Sequence, residues 1–292
     1  MDLASYLSIP LIQNMFVTTV FACILCSVVG TYVVVNRMVS MTGGIAHTTF
    51  GGVGFAYFAM SVLAVGWLTP IYGALLFGVA AAVILTVCKK IPGLRMDTVI
   101  GVMWAIGMAA GVIFMGATDR SVVTPASYET ILFGNVLFVS TQNMLIVVAA
   151  TVAVVAVIAY LYRDLQVLIF DDTHARLSGM RTIFYDLALY LLIAIVCVVA
   201  SKVVGIIMVI ALMTIPVAMA ELSAKNLKEI MFMASASSSI LAFLGLVLCL
   251  VLDTPPGATV VLIIGAAYVI LLVATSLRHR LAKHPVRGTG QT

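Results

Sequence analysis

Three features of the sequence predict an all-α protein that crosses a membrane many times: its apolar bulk, its scarcity of charge, and the length of its apolar runs. Hydrophobic residues fill 63% of the 292 positions and charged residues 9%, with a mean hydropathy of +1.23. A soluble domain carries about a quarter charged residues, so the main solvent of this chain is lipid. Its apolar runs approach the ~20 residues that a spanning helix needs, and they are too numerous for one buried core. Helices follow because a backbone in hydrocarbon must satisfy its own polar groups. The first ten residues hold Asp2, no basic residue and no small-residue cleavage site, so no cleavable signal peptide is expected.

Taken in order, the apolar runs make about nine spans. The first covers residues 14–35 and ends at Arg37; the second covers 41–62. The third, 67–87, ends at Lys89 and Lys90, with a turn at Pro92-Gly93; the fourth, 98–115, leads to a loop holding Asp119 and Arg120. Residues 128–139 are too few to span and read as a short re-entrant or interfacial piece. The fifth span is 143–161, and a hydrophilic stretch, 164–186, follows it. Residues 187–220 hold either two spans, separated only by Ser201-Lys202 and Gly205, or one span and a broken helix, with Pro216 suited to the break. The last two spans are 230–252 and 259–277, and a basic tail covers 279–292.

Charge orients this arrangement. With nine crossings and the N-terminus outside, all of the 15 Lys and Arg except Arg120 and Lys202 fall on the inner side, together with the C-terminus. That asymmetry is the positive-inside signature, and an odd number of crossings preserves it. The net charge of +4 therefore speaks to orientation in membrane lipid and not to nucleic acid.

Several functions are disfavoured by what the spans lack. No Asp, Glu, Lys or Arg lies in the middle third of any span, which argues against a proton-coupled carrier. There is no Gly-Lys pair and so no phosphate-binding loop, and no G-x-S-x-G or H-E-x-x-H element. The serines at 235, 237, 238 and 239 have no base nearby and read as helix-packing groups. Five cysteines lie in or beside apolar segments without a disulfide framework, and Cys23-x-x-Cys26 reads as buried apolar filling. The 16 methionines form no single stripe of soft ligands.

One stretch inside the spans is unusual. Met41-Thr-Gly-Gly-Ile-Ala-His-Thr-Thr-Phe-Gly-Gly-Val-Gly-Phe-Ala-Tyr57 holds five glycines and a histidine. Gly43, His47, Gly51 and Gly54 recur at steps of four, four and three, so they share one helix face. Small residues admit a neighbouring backbone, here the same region of a second copy of the chain or the run before Pro216, and an intramembrane imidazole marks a functional site. The competing reading is a histidine that only packs. In the hydrophilic stretch, Phe170 precedes Asp171-Asp172, which suits a helix N-terminus, and Gly179 suits the C-cap of a short helix ending near Ser178.

Six blocks in order carry a resemblance to the ABC-3 metal permease family. They are Arg37-x-x-Ser40 with Gly44-Ile-Ala-His47 and Gly51-Gly-Val-Gly54; Asp97-Thr-x-Ile-Gly101; Leu132-Phe-Gly134; Phe170-Asp171 with Ala175-x-x-x-Gly179; Gly205 through Pro216; and Asp253-x-Pro-x-Gly257. The resemblance implies a single permease domain, residues 1–278, of an ATP-driven importer for zinc, manganese or iron in a prokaryotic plasma membrane. It implies a homodimer, two cytosolic ABC ATPase subunits and an extracytoplasmic metal-binding protein. No cofactor is held permanently, the metal being cargo, and the chain itself is not an enzyme. His47 would be the metal ligand, with Gly43, Gly44, Gly51, Gly54 and Pro216 shaping the pathway. Phe170, Asp171, Ala175 and Gly179 would couple the chain to its ATPase. Many members carry an aspartate four residues before the histidine, where this chain has Gly43. An ATP-independent carrier or channel is the rival class.

Overall fold

The computed structural model describes residues 10–282, so the tail beyond Ala282 and the first nine residues lie outside the described part. Its long helices are α1 (Pro10–Val35), α2 (Val39–Ser61), α3 (Pro70–Cys88) and α4 (Met96–Gly116), then α6 (Thr141–Phe170), α8 (Thr182–Val204), α9 (Ile206–Glu221), α10 (Leu227–Leu252) and α11 (Pro256–Ala282). Two short helices complete the series: α5 (Tyr128–Phe133) and α7 (Asp172–Leu177). Among the described residues there is no strand, as the sequence predicts.

The nine predicted spans map onto nine helices, but only seven of these are long and apolar enough to cross a membrane by length and composition. The other two depart for physical reasons. α2 has the length, yet its glycines, threonines and histidine dilute its apolar character. α9 has 16 residues, or about 24 Å of rise, short of the ~30 Å hydrocarbon layer. The run 187–220 is thus one full helix and one short one. Its break is at Gly205, with φ +84°, and not at Pro216, which sits inside α9. The stretch 164–186 is also less open than expected. α6 continues to Phe170, because charge at Arg163 and Asp164 does not stop a helix once it has left the apolar layer.

α1 and α2 are each centres of packing. α1 is the most buried of the seven apolar spans and is enclosed by α6, α8, α9 and α10, whereas α2 lies between α3 and α4. α8 touches both groups and joins them. Several hydroxyls within the core close on the helix itself or on a neighbour, whereas those of Thr18, Tyr32 and Thr42 are buried without a partner. Thr19 donates to the Met15 carbonyl at 2.8 Å, Thr31 to that of Ser27 at 2.8 Å, and Ser27 pairs with Ser238 of α10 at 3.0 Å. Of the four serines of α10, Ser238 packs against another helix, while Ser237 and Ser239 donate to carbonyls of α10 itself.

Contacts sort the helix ends into two sets. At one end, Ser61 accepts from the Asp119 amide and Asn14 donates to Val139 and Thr141. Asp119, outside the spans, is held below the usual carboxylate range by the Ser121 hydroxyl and amide that donate to it. At the opposite end Lys89, which follows α3, forms an ion pair of 2.7 Å with Asp186 near the start of α8. The same end carries Arg37, Lys90, Arg95, Arg176, Arg181, Lys225 and Lys228, and we call it the basic end. Asp186 is buried, so Asp186→Ala leaves a half-buried ammonium without its partner. The expected loss is about 3 kcal/mol, read as an earlier thermal unfolding of the detergent-purified chain, and an unchanged transition would show that solvent replaces the partner.

Candidate functional site

The glycine face of α2 meets α4 of the same chain. A side chain at Gly44 would meet Ile100, one at Gly51 would come 2.9 Å from the Gly107 carbonyl, and one at Gly54 would come 2.5 Å from that of Gly111. Ile100, Gly107 and Gly111 also share one face, so two small-residue faces run side by side in a constant register. This corrects the expectation that the face would receive a dimer mate or the run before Pro216. Pro216 is buried within α9, which packs chiefly on α1 and touches α2 far less than α4 does.

His47 lies in this α2–α4 seam. It is 8% exposed, and its Nδ1 is buried without a hydrogen-bond partner. Its ring stacks on Trp104 of α4, with centroids 4.9 Å apart and an 18° tilt. The same indole lies over Gly43, whose missing side chain leaves room for it: a Cβ there would be 3.8 Å from the ring. Position 43 thus supplies space for an aromatic cover on His47. Trp104 is itself 45% exposed, so only one aromatic side chain separates the imidazole from the surface of the chain.

Among the described residues no three His, Cys, Asp or Glu side chains are grouped to hold a metal ion. One chain therefore offers a single nitrogen at the seam, and further ligands must come from backbone carbonyls, another molecule or the ion's own water. The methionines do not fill the gap. Met208 and Met213 are fully buried in the core, and Met115 is nearly so. Cys23, Cys26 and Cys197 are likewise buried and serve as packing.

At the basic end, α7 forms as its sequence suggests. Asp171 caps it by accepting from the His174 amide at 2.8 Å. Gly179, with φ +77°, closes it: the Met180 amide donates to the Ala175 carbonyl and the Gly179 amide to that of Arg176, the paired bonds of a Schellman stop. Of the residues singled out here, Phe170 is well exposed and Ala175 is fully buried. Ala175 therefore seats α7 on its own chain, and Phe170 and Leu177, the latter 83% exposed, are the side chains free to meet a partner.

The ABC 3 transport family's profile matches residues 8–275. The chain belongs to this family. A manganese import permease of Streptococcus parasanguinis, ScaB, is 30% identical over 273 residues, covering 94% of this chain and 93% of that protein. A membrane protein of Synechocystis is 32% identical over 260 residues, 89% of each chain. Among solved structures, PsaBC from Streptococcus pneumoniae in complex with Fab aligns with a TM-score of 0.79 at 29% identity, covering 92% of this chain and 93% of that one.

Sequence reasoning missed three parts of this arrangement. Trp104 gives no signal by itself. The spacing of Gly107 and Gly111 repeats the small-residue step of α2 and could have named α4 as its partner. The third part joins blocks far apart in the chain. The Leu132-Phe133-Gly134 turn packs its backbone directly on Gly205, while Gly257 packs on the Phe133 carbonyl.

Proposed function

We propose that this chain is the membrane-spanning permease subunit of an ATP-driven ABC importer for a divalent metal ion, with manganese, zinc and iron as the candidates. The observation that carries the reading is the end-to-end likeness to permease chains of metal import systems, ScaB among them. In this reading two copies of the chain form the pathway and an extracytoplasmic metal-binding protein delivers the ion. The basic end faces the cytosol, as the positive-inside rule requires, and the N-terminus lies outside. His47 is the ligand the ion meets inside the membrane. A neutral imidazole suits zinc and accepts manganese or iron, and a site with few strong ligands can release its cargo.

ATP hydrolysis belongs to a partner, since the chain has no phosphate-binding loop. α7 supports the docking role: it is short and capped at both ends, and its Leu177 and the preceding Phe170 at the end of α6 are exposed at the basic end. Truncating an exposed apolar anchor of this kind typically weakens an interface about tenfold or more. The test is ATP-dependent manganese uptake in vesicles that contain the chain, its ATPase and its binding protein. Phe170→Ala with Leu177→Asp is expected to leave the chain in the membrane, to lower ATPase co-purification and to reduce uptake about tenfold. Uptake that proceeds in vesicles lacking the ATPase would establish the carrier reading instead.

A further inference from the structure

A groove of about 810 Å³ runs between α1, α6 and α10 and ends at the basic end. Ile24, Val155 and Phe232 contribute its apolar walls, and Tyr162, Arg163 and Lys228 stand at its mouth. The Lys228 ammonium lies 5.1 Å from the centre of the Tyr162 ring. Neither cation forms an ion pair among the described residues, and the carboxylates beside them in sequence are turned to other donors. Asp164 hydrogen-bonds Tyr185, and Glu229 accepts from the Lys225 amide and the Asn226 side chain, where it caps α10. Among the described residues the ion pair found is Lys89–Asp186, which involves neither cation.

The depth of the groove is that of one leaflet. It follows α10 from Lys228 to Ser239, about 16 Å of helix rise, or half of the ~30 Å hydrocarbon layer. We propose that it holds one acyl chain of an anionic phospholipid, with the lipid phosphate between Arg163 and Lys228. Basic pockets between spanning helices at the cytoplasmic side suit anionic headgroups, and the apolar walls suit the chain beneath. A second copy of this protein is the wrong occupant. It would bring its own cluster of Lys and Arg, gathered at the same end, against two unpaired cations. The α6 wall continues through Phe170 into α7, so the lipid seat lies on the helix that carries the basic-end docking element.

The test is native mass spectrometry of the full chain in detergent, titrated with phosphatidylglycerol or phosphatidylcholine of equal chain length. Two interfacial cations predict a preference of about thirtyfold for phosphatidylglycerol. Arg163→Ala with Lys228→Ala should bring the two lipids to equal retention, while Arg163→Lys with Lys228→Arg should keep the preference. Val155→Trp, which fills the groove and leaves the charges, should displace phosphatidylglycerol. Equal retention by the wild type overturns the proposal, as does a preference that survives the alanine pair or the tryptophan. If the alanine pair is not recovered folded, the wild-type comparison and Val155→Trp decide. A disulfide-linked dimer of Ala236→Cys in phosphatidylglycerol vesicles, above the wild-type level, would place a second copy in the groove and overturn it too.

Discussion

His47→Ala is expected to abolish uptake of manganese, zinc and iron while the amount of folded protein in the membrane stays at the wild-type level. Loss of the one imidazole at the seam should lower transport by about a hundredfold, the upper range for removing support from a metal site. The stability expectation follows from two opposing effects of similar size. Alanine removes a buried nitrogen that has no partner, whose desolvation costs about 1–3 kcal/mol. It also removes the stack on Trp104, which contributes about 0.5–1.5 kcal/mol beyond area burial. The small remainder leaves folding nearly untouched, so lost uptake would report on the pathway. His47→Asp keeps a ligand and should retain some transport or change the metal preferred. Gly51→Leu drives a side chain into the Gly107 carbonyl of α4 and should impair assembly or gating whichever metal is offered. Full uptake by His47→Ala would reduce the histidine to packing and move the pathway elsewhere.

The all-α class and most helix positions were legible because lipid imposes a length and a composition on each span. α10 begins three residues before its predicted start and ends where predicted, and α4 differs by two residues or fewer at each end. Errors collect where lipid is not the deciding solvent. α6 outruns its predicted end because its last turns lie beyond the apolar layer, where helix propensity and the contact with α8 extend it. The glycine face of α2 was legible as a face, since periodicity is local information. Its partner was not, because pairing depends on a second helix some fifty residues away. Pro216 drew the predicted break for a local reason, its missing amide. Within a packed bundle a proline can be absorbed, because neighbouring helices hold the freed carbonyl's surroundings in place. The break falls at Gly205, the separator that the two-span reading offered, and only tertiary structure shows what presses on it.

Gly205→Ala is expected to be among the most damaging single-methyl changes in this chain. Gly205 has φ +84° and ψ 157°, and Gly134 opposite it has φ +77° and ψ 174°. Both lie in a region that is essentially reserved for glycine, and a non-glycine residue held there costs about 1–3 kcal/mol. The new methyl would also strike the backbone of Phe133 and Gly134 and come 2.6 Å from the Leu132 carbonyl. Overpacking of that kind costs a further ~1–3 kcal/mol. The two effects add at one position and together consume a large part of a typical stability of ~5–15 kcal/mol. Nor can the backbone there move freely. The Asn135 amide donates to the Val203 carbonyl at 3.1 Å, so shifting the turn to admit the methyl breaks a hydrogen bond that ties α5 to the end of α8. Gly265→Ala is the matched control: it lies within α11, meets nothing within 4 Å, and should be neutral or slightly stabilising through helix propensity. Thermal unfolding and recovered yield in detergent would compare the two, with Gly205→Ala unfolding well below the wild type. A Gly205→Ala chain that melts with the wild type would mean that α5 and the α8–α9 junction separate readily. The contact among Leu132-Phe-Gly134, Gly205 and Gly257 would then be a resting position of a moving part, and not a fixed joint.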